Sequence, residues 1–151
     1  GLTLTRTTVR GTLPNADGTR GRGANATFGG ALNANDSAFV DNQQVGIFVF
    51  QSQAELKECL VLGTRPDPDG KYGNGLEVLT DASLLMRGGA LQSNAGIGAV
   101  FAEGAGLLDA VRISRQVVGL HAQDGSTVEE LATAPATLGP RQVVVTRSLA
   151  E

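Results

Sequence analysis

The chain has 151 residues, a net charge of −3 and 21 glycines, but only six aromatic residues: five Phe, one Tyr and no Trp. This length suits one ordinary domain, and the negative charge argues against nucleic acid or an anionic membrane as the main partner. The single Cys59 excludes an intramolecular disulfide, and no apolar run approaches the ~18 residues of a membrane span. Rich in glycine and poor in aromatics, the composition favours short strands joined by tight turns.

The first third of the chain predicts strands separated by one long turn. Leu2–Gly11 is threonine-rich with alternating leucines, which favours an edge strand, and Pro14–Gly23 carries the Pro, Asp-Gly and Gly residues of a chain reversal. Ala26–Leu32 is the candidate return strand. Gln44–Gln51, with the apolar run V-G-I-F-V-F, predicts a buried interior strand.

The next segment predicts the only helix in the middle of the chain. Ser52–Leu60 opens with the Ser-x-x-Glu pattern of a capping box, which favours one or two helical turns. A second turn-rich stretch, Gly63–Gly75, follows it. Leu76–Thr80 and Leu84–Arg87 then predict two short strands.

The last third is harder to assign from its pattern. Gly88–Gly106 alternates weakly, so it is either a glycine-bent strand or an ordered loop on a partner surface. Asp109–Leu120 favours a strand on its β-branched content, with an amphipathic helix as the alternative. Ser126–Glu129 offers a second capping box, and Arg141–Leu149 predicts a closing strand that contains three consecutive valines.

These elements predict a mainly β fold, a compact β-sandwich or barrel-like single domain over residues 1–151 with one or two short helices. Residues 1–11 are a candidate N-terminal arm. We expect Val45–Phe50 to be an interior strand with Val143–Val145 near it, and Cys59 to be a small core residue.

A repeated phrase stands out at a spacing of 52 residues. Val9–Gly23 and Val61–Gly75 match without a gap at a Val, a Thr, a Pro, an Asp and four Gly. The segments downstream of the two copies do not keep the same register. We therefore interpret the phrases as two similar hairpins, with true structural repeats as the alternative.

Neither phrase has the spacing of a phosphate-binding loop, because both lack the third glycine and the following helix. A calcium site would use Asp67, Asp69 and Glu77, but Lys71 stands at the next ligand position, so turn formation is the preferred interpretation. His121 is the only histidine, which rules out a cluster of histidine ligands. The sequence predicts no catalytic, cofactor-binding or metal-binding residues, and no cofactor.

Two short stretches carry a resemblance to known families. Ala38–Phe50, A-F-V-D-N-Q-Q-V-G-I-F-V-F, resembles the turn and strand of tailed-phage head decoration proteins, and Thr8–Gly23 resembles the first hairpin of small Ig-like virion surface modules. The resemblance implies a non-enzymatic cement protein on the capsid exterior. It also implies the major capsid protein as partner and a homotrimeric state.

Two other functions stay open. One is an extracellular β-sandwich module that binds protein or carbohydrate, against which the lack of Trp and the single Tyr count. The other is a small β-fold enzyme that uses His121. We expect the contact surfaces of a cement protein at residues 1–11 and at Gly88–Gly106, since neither looks suited to a core.

Overall fold

The computed structural model describes residues 1–16, 18 and 20–131, which form fourteen β-strands joined by turns. The strands are β1 (Leu2–Thr5), β2 (Thr8–Arg10), β3 (Arg22–Thr27), β4 (Ala31–Asn35), β5 (Ala38–Val40), β6 (Val45–Phe50), β7 (Gln53–Leu62), β8 (Asn74–Leu79), β9 (Ser83–Gln92), β10 (Ile97–Ala102), β11 (Ala105–Asp109), β12 (Arg112–Ser114), β13 (Val118–Gln123) and β14 (Thr127–Leu131). Every strand pairs in parallel with its neighbours.

The chain winds as a parallel β-solenoid. Register partners in the nine-stranded sheet are 30, 22, 30, 22 and 22 residues apart along the chain, so each coil stacks directly on the one before it. The second sheet has five strands in the order β13-β10-β8-β6-β3. The nine-stranded sheet bends within β7 and β9, so that each complete coil has three straight sides and three corners.

A residue in the left-handed backbone region stands at each corner, with φ between +47° and +68°. The residues are Arg6, Asp36, Glu58, Gly88 and Ala110 at the first corner, Gly11, Asp41, Gly63, Ser93 and Arg115 at the second, and Phe28, Gln51, Asp81, Glu103 and Asp124 at the third. Non-glycine residues rarely adopt this conformation, which costs on the order of 1 kcal/mol or more at each position. The corner geometry is therefore imposed by the stacking of coils and not by local sequence preference.

Buried amide side chains connect the coils at the second corner. Asn42 Oδ1 accepts a hydrogen bond from the Thr12 amide at 3.1 Å, and Asn94 Oδ1 accepts one from the Thr64 amide at 3.1 Å. The Nδ2 group of each asparagine donates to a backbone carbonyl of the preceding coil, and Gln116 Nε2 does the same. These side chains satisfy backbone groups that the turn would otherwise leave unpaired.

Glycines line up where the five-stranded sheet begins, next to these amides. A Cβ added at Gly75 would lie 2.5 Å from the Gly98 carbonyl oxygen and 2.8 Å from Asn94 Nδ2. Gly23, Gly46 and Gly98 meet the carbonyl of the next coil in the same way. The close approach of backbone to backbone explains why glycine recurs at this position of successive coils.

The solenoid interior is filled by one inward-facing row of side chains from each strand. Its largest fully buried members are Phe39 and Phe101, each 0% exposed, and Cys59 also lies in this core, as predicted. Cys59 Sγ donates to the Ala34 carbonyl at 3.3 Å. The buried side chains form one continuous apolar cluster along the solenoid.

The prediction of a mainly β protein is confirmed, but the expected short helices are absent from the described residues. Ser52–Leu60 forms most of β7, because Ala54, Leu56 and Cys59 face the core between parallel neighbours on both sides. At the second capping box, Ser126 Oγ donates to the Gln123 carbonyl in a turn that leads into β14. In both places tertiary pairing outweighs a local capping pattern.

A sandwich or barrel built from hairpins is also replaced by the solenoid. The twin phrases are not hairpins. They occupy equivalent positions in the first coil, formed by β1–β3, and the third coil, formed by β7 and β8, with the second coil, β4–β6, between them. Val9 pairs with Phe39 and Phe39 with Val61, so the spacing of 52 residues is one coil of 30 plus one of 22. Of the matching glycines, Gly11 and Gly63 are corner positions, and Gly23 and Gly75 belong to the glycine column. The shared Pro and the remaining shared glycines that the structure describes, Pro14, Gly18 and Gly21 in one copy and Pro66, Gly70 and Gly73 in the other, lie in a loop that precedes the five-stranded sheet.

The structure confirms some of the other elements predicted from the sequence and corrects others. Val45–Phe50 is an interior strand paired on both sides, as predicted. Ala26–Leu32 is not one strand, because a turn at Phe28 and Gly29 divides it between β3 and β4. Gly88–Gly106 contributes strand residues to the core, where Phe101 is fully buried, so it is better packed than its sequence suggests, and its role as a contact surface stays a prediction. Val143–Val145 and the rest of Arg141–Leu149 lie outside the described residues.

The corner amides give a testable stability prediction. Asn94→Ala should lower the free energy of unfolding by about 1–3 kcal/mol, because it leaves the Thr64 amide and the Val61 carbonyl unpaired in a dry corner. Asn33→Ala, at an exposed position on β4, should change it by no more than about 0.5 kcal/mol. Urea denaturation of both variants measures the difference, and equal effects would contradict the bridging role of Asn94.

Candidate functional site: the outer face of the five-stranded sheet

The outward side of the five-stranded sheet differs from the rest of the surface in its aromatic content. Three of the five phenylalanines, Phe28, Phe48 and Phe50, lie outside the apolar core of the solenoid. Phe28 is 78% exposed, whereas Phe48 is covered by side chains on the same outer face. Burial in the interior does not explain these three rings.

Two loops rise at the end of the sheet where its strands begin. Among the described residues, loop 1 comprises residues 13–16, 18, 20 and 21 of the first coil, and loop 2 comprises residues 65–73 of the third coil. The second coil lies between them and has no such insertion. The loops therefore face one another across the start of β6.

Gln44, at the start of this middle coil, holds both loops. Its Oε1 accepts from the Gly21 amide at 3.0 Å and its Nε2 donates to the Gly18 carbonyl at 2.6 Å, which anchors loop 1. Its backbone amide donates to the Arg65 carbonyl and its carbonyl accepts from the Gly73 amide, both at 2.8 Å, which anchors loop 2. One buried residue thus fixes the separation of the two loops.

Loop 2 is also ordered from within. Asp67 Oδ1 accepts from the backbone amides of Asp69 and Lys71 at 3.0 and 2.8 Å. One carboxylate oxygen of Asp67 is therefore engaged in the turn, and Asp69 is exposed whereas Glu77 is buried. In the described part of the chain no group of three or more His, Cys, Asp or Glu is arranged to hold a metal ion.

An open groove of about 730 Å³ lies between the loops and the sheet. Loop 1 contributes Arg20 to one wall, and loop 2 contributes Lys71 and Tyr72 to the other. Arg22 and Glu77 form the floor together with Val45. The volume falls within the ~300–1,000 Å³ typical of sites for small organic ligands.

Arg22 lies flat on an aromatic ring at the groove floor. Its guanidinium carbon is 3.4 Å from the centroid of Phe48, and its Nη1 donates to Asn25 Oδ1 at 3.4 Å. Burial lowers the pKa of Arg22, an effect that the charge of Glu77 opposes, and the group stays protonated. The Nε atom is buried without a hydrogen-bond partner, so it is a donor left over for a ligand or a water molecule.

Glu77 is the one ionisable side chain among the buried polar residues of the described segment, with 8% exposure. Asn74 Nδ2 donates to Glu77 Oε1 at 2.7 Å, and Asn74 Oδ1 accepts from the Ile97 amide at 2.9 Å. Burial raises the pKa of Glu77, while the hydrogen bond from Asn74 and the charge of Arg22 act against this rise. A buried carboxyl on the outer side of a sheet is costly to keep and marks a candidate binding site.

Phe48 and Phe50 continue the groove floor along β6, and Phe28 lies at the corner that follows β3. The rings of Phe48 and Phe50 stack with centroids 6.4 Å apart, and Phe28 meets Phe50 edge to face at 5.5 Å. A track of stacking groups therefore runs from Arg22 through Phe48 and Phe50 to the exposed Phe28. We refer to Arg22, Phe28, Phe48 and Phe50 as the aromatic track.

The structure places the sequence candidates apart from one another. His121 is half-buried on the outer face, where Nε2 lies 2.9 Å from Gln123 Oε1, and it is two strands away from Glu77. From the sequence, Glu77 is only a possible calcium ligand, and no role is predicted for Arg22. No motif could have joined Arg22 to Phe48, because their contact depends on parallel stacking of two coils.

Together the fold and groove define a parallel β-solenoid with a loop-walled cleft on one face. Comparison with protein-family models, with curated proteins and with solved structures found no match to the chain. The part of the chain that the structure describes contains no helix of the length and apolarity that a membrane span requires.

The raised pKa of Glu77 predicts a pH-dependent stability. The folded state binds the carboxyl proton of Glu77 more tightly than the unfolded state does. The free energy of unfolding therefore falls as the pH rises from the ordinary carboxyl pKa, about 4.3, through the raised pKa of the folded state. Glu77→Gln should remove this loss, so the difference in stability between the variant and the original protein should grow with pH. Thermal or urea unfolding of both proteins between about pH 4 and 8 measures this difference.

Glu55→Gln is the matched control, since Glu55 is exposed on β7. Its stability curve should run parallel to that of the original protein. If the Glu77→Gln curve were parallel as well, Glu77 would not be the desolvated carboxyl that its position implies.

Proposed function

We propose that the protein is a non-enzymatic binding module that holds a polysaccharide chain in the groove and along the aromatic track. The observation that carries the proposal is the gathering of flat stacking groups and planar hydrogen-bonding groups on one outer face. Aromatic rings offer apolar faces for the C–H surfaces of sugar rings, and guanidinium, amide and carboxyl groups suit pairs of hydroxyls.

The shape of the face supports an extended ligand over a compact one. The groove is open, and the aromatic track leads out of it across the sheet to Phe28. A chain molecule would contact loop-borne polar groups at one end and exposed rings at the other. The scarcity of Trp and Tyr, which counts against sugar binding in the sequence, loses weight because most of the Phe residues lie on this face.

A single-stranded nucleic acid could also use aromatic stacking and arginine, but such grooves are strongly positive. Here a buried carboxyl shares the floor with Arg22, and the carboxylates of loop 2 stand on the wall. The proposal therefore favours carbohydrate. Single-stranded DNA serves as a negative control ligand.

The polysaccharide proposal predicts which side chains matter for binding. Phe50→Ala and Phe28→Ala should each weaken binding about 3- to 10-fold, the effect of losing one stacking contact of ~0.5–1.5 kcal/mol. Isothermal titration calorimetry or affinity electrophoresis with a panel of soluble polysaccharides measures the loss. A panel without any binder would overturn the proposal.

Leu85→Ala is the control variant, because Leu85 is a half-buried apolar side chain on the nine-stranded sheet, far from the aromatic track. It should bind as the original protein does. If Leu85→Ala weakened binding as much as Phe50→Ala, the ligand would be held elsewhere or the loss would reflect stability alone.

The capsid-cement hypothesis stays a prediction that rests on the sequence resemblance. One observation favours it: β1, in the segment expected to contact a capsid, is the last strand of its sheet in the described part of the chain and pairs only with β4. An edge strand of this kind can accept a strand from a partner. Saturable co-sedimentation with phage capsids, and a trimer in sedimentation analysis, would support this second function.

A further inference from the structure

The floor of the groove carries two opposite charges in a partly desolvated setting. Glu77 is 8% exposed, and Arg22 packs over Phe48 between β3 and β6. Arg22 and Glu77 line the same groove floor, so they lie within electrostatic range of each other. At a pH above the raised pKa of Glu77, the carboxylate of Glu77 and the guanidinium of Arg22 carry opposite charges. A ligand that contacts both side chains then meets no net charge.

The charges on the groove walls act more weakly. Arg20, Lys71 and Asp69 are exposed, so water and salt screen them. The floor, which a ligand would cover and dry, dominates the charge preference because Coulomb interactions grow as the local dielectric falls.

A charged sugar would meet an uncompensated penalty on this floor. A carboxylated unit placed on Arg22 would also approach Glu77, and an amino sugar placed on Glu77 would approach Arg22. Hydroxyl groups, which donate and accept, can satisfy the carboxyl oxygens and the unpartnered Nε of Arg22 without adding charge.

We infer that the groove selects neutral polysaccharides, with Glu77 and Arg22 as a balanced pair of specificity-determining residues. This inference rests on the proposed polysaccharide-binding function. Glu77 excludes carboxylated and sulfated chains, and Arg22 excludes chains of free amino sugars. Binding is accordingly held by hydrogen bonds and stacking and depends little on salt.

The test measures binding at about pH 8 to three polymers: a neutral glucan, a carboxylated polyuronate and a glucosamine polymer whose amines are trimethylated, so that they stay positively charged at this pH. The original protein should bind the glucan best, with a change of less than about 2-fold between low and high salt. Glu77→Gln should gain at least about 5-fold for the polyuronate, and this gain should vanish at high salt. Arg22→Gln should instead lose the discrimination against the glucosamine polymer.

Glu55→Gln is the charge-matched control, since it removes the same unit of negative charge at an exposed position on β7, away from the groove. It should shift polyuronate affinity by less than about 2-fold, because exposed charges are screened. Thermal unfolding of each variant shows that the fold is kept.

The possible failures separate from one another. Tight, salt-sensitive binding of the polyuronate by the original protein would overturn the neutral-ligand inference and leave polysaccharide binding intact. So would a Glu55→Gln shift as large as that of Glu77→Gln. Absence of binding to all three polymers and to a wider glycan panel would overturn the proposed function itself.

Discussion

The structure depends on the left-handed backbone turn at each corner of the coil. Every coil must change direction at the same place as its neighbours, or the parallel ladders on both sides would lose register. Residues as different as Arg6, Glu58 and Ala110 adopt this conformation at the first corner. The strain at each corner is outweighed by hydrogen bonds to the coils above and below, which only a stacked arrangement provides.

The same constraint decides where the chain can grow. Residues cannot be added within a strand or a corner without breaking the stack, but they can be added just past the corner amides. The first and third coils carry their insertions there, and Asn42 and Asn94 seal the turn beneath them through bonds to the backbone. Because the second coil stays short, Gln44 can hold the two loops from between, and a groove results.

The sequence predicts the interior of this protein better than its architecture or its site. Alternating or continuous apolar residues predicted Val45–Phe50 as an interior strand and Cys59 as core, because burial is a local property of the pattern. The solenoid was missed because coil length varies between 22 and 30 residues and the corners share a backbone conformation but no residue type. The run V-G-I-F-V-F does not show that Phe48 and Phe50 face outward. The side chains that pack on these two rings come from another coil of the solenoid.

The outer face of the five-stranded sheet is informative because packing does not dictate its residues. Inside the solenoid, any residue other than a small or apolar one would be excluded, so Phe101 or Leu76 says little about function. On the outer face, almost any polar residue would be tolerated at the position of Glu77. A neutral polar side chain there would make the protein more stable than a carboxyl that burial has made harder to ionise. The destabilising carboxyl of Glu77, beside the stacked Arg22, is therefore better explained by a bound ligand than by the needs of the fold. The groove that both side chains line is the place where that ligand would lie.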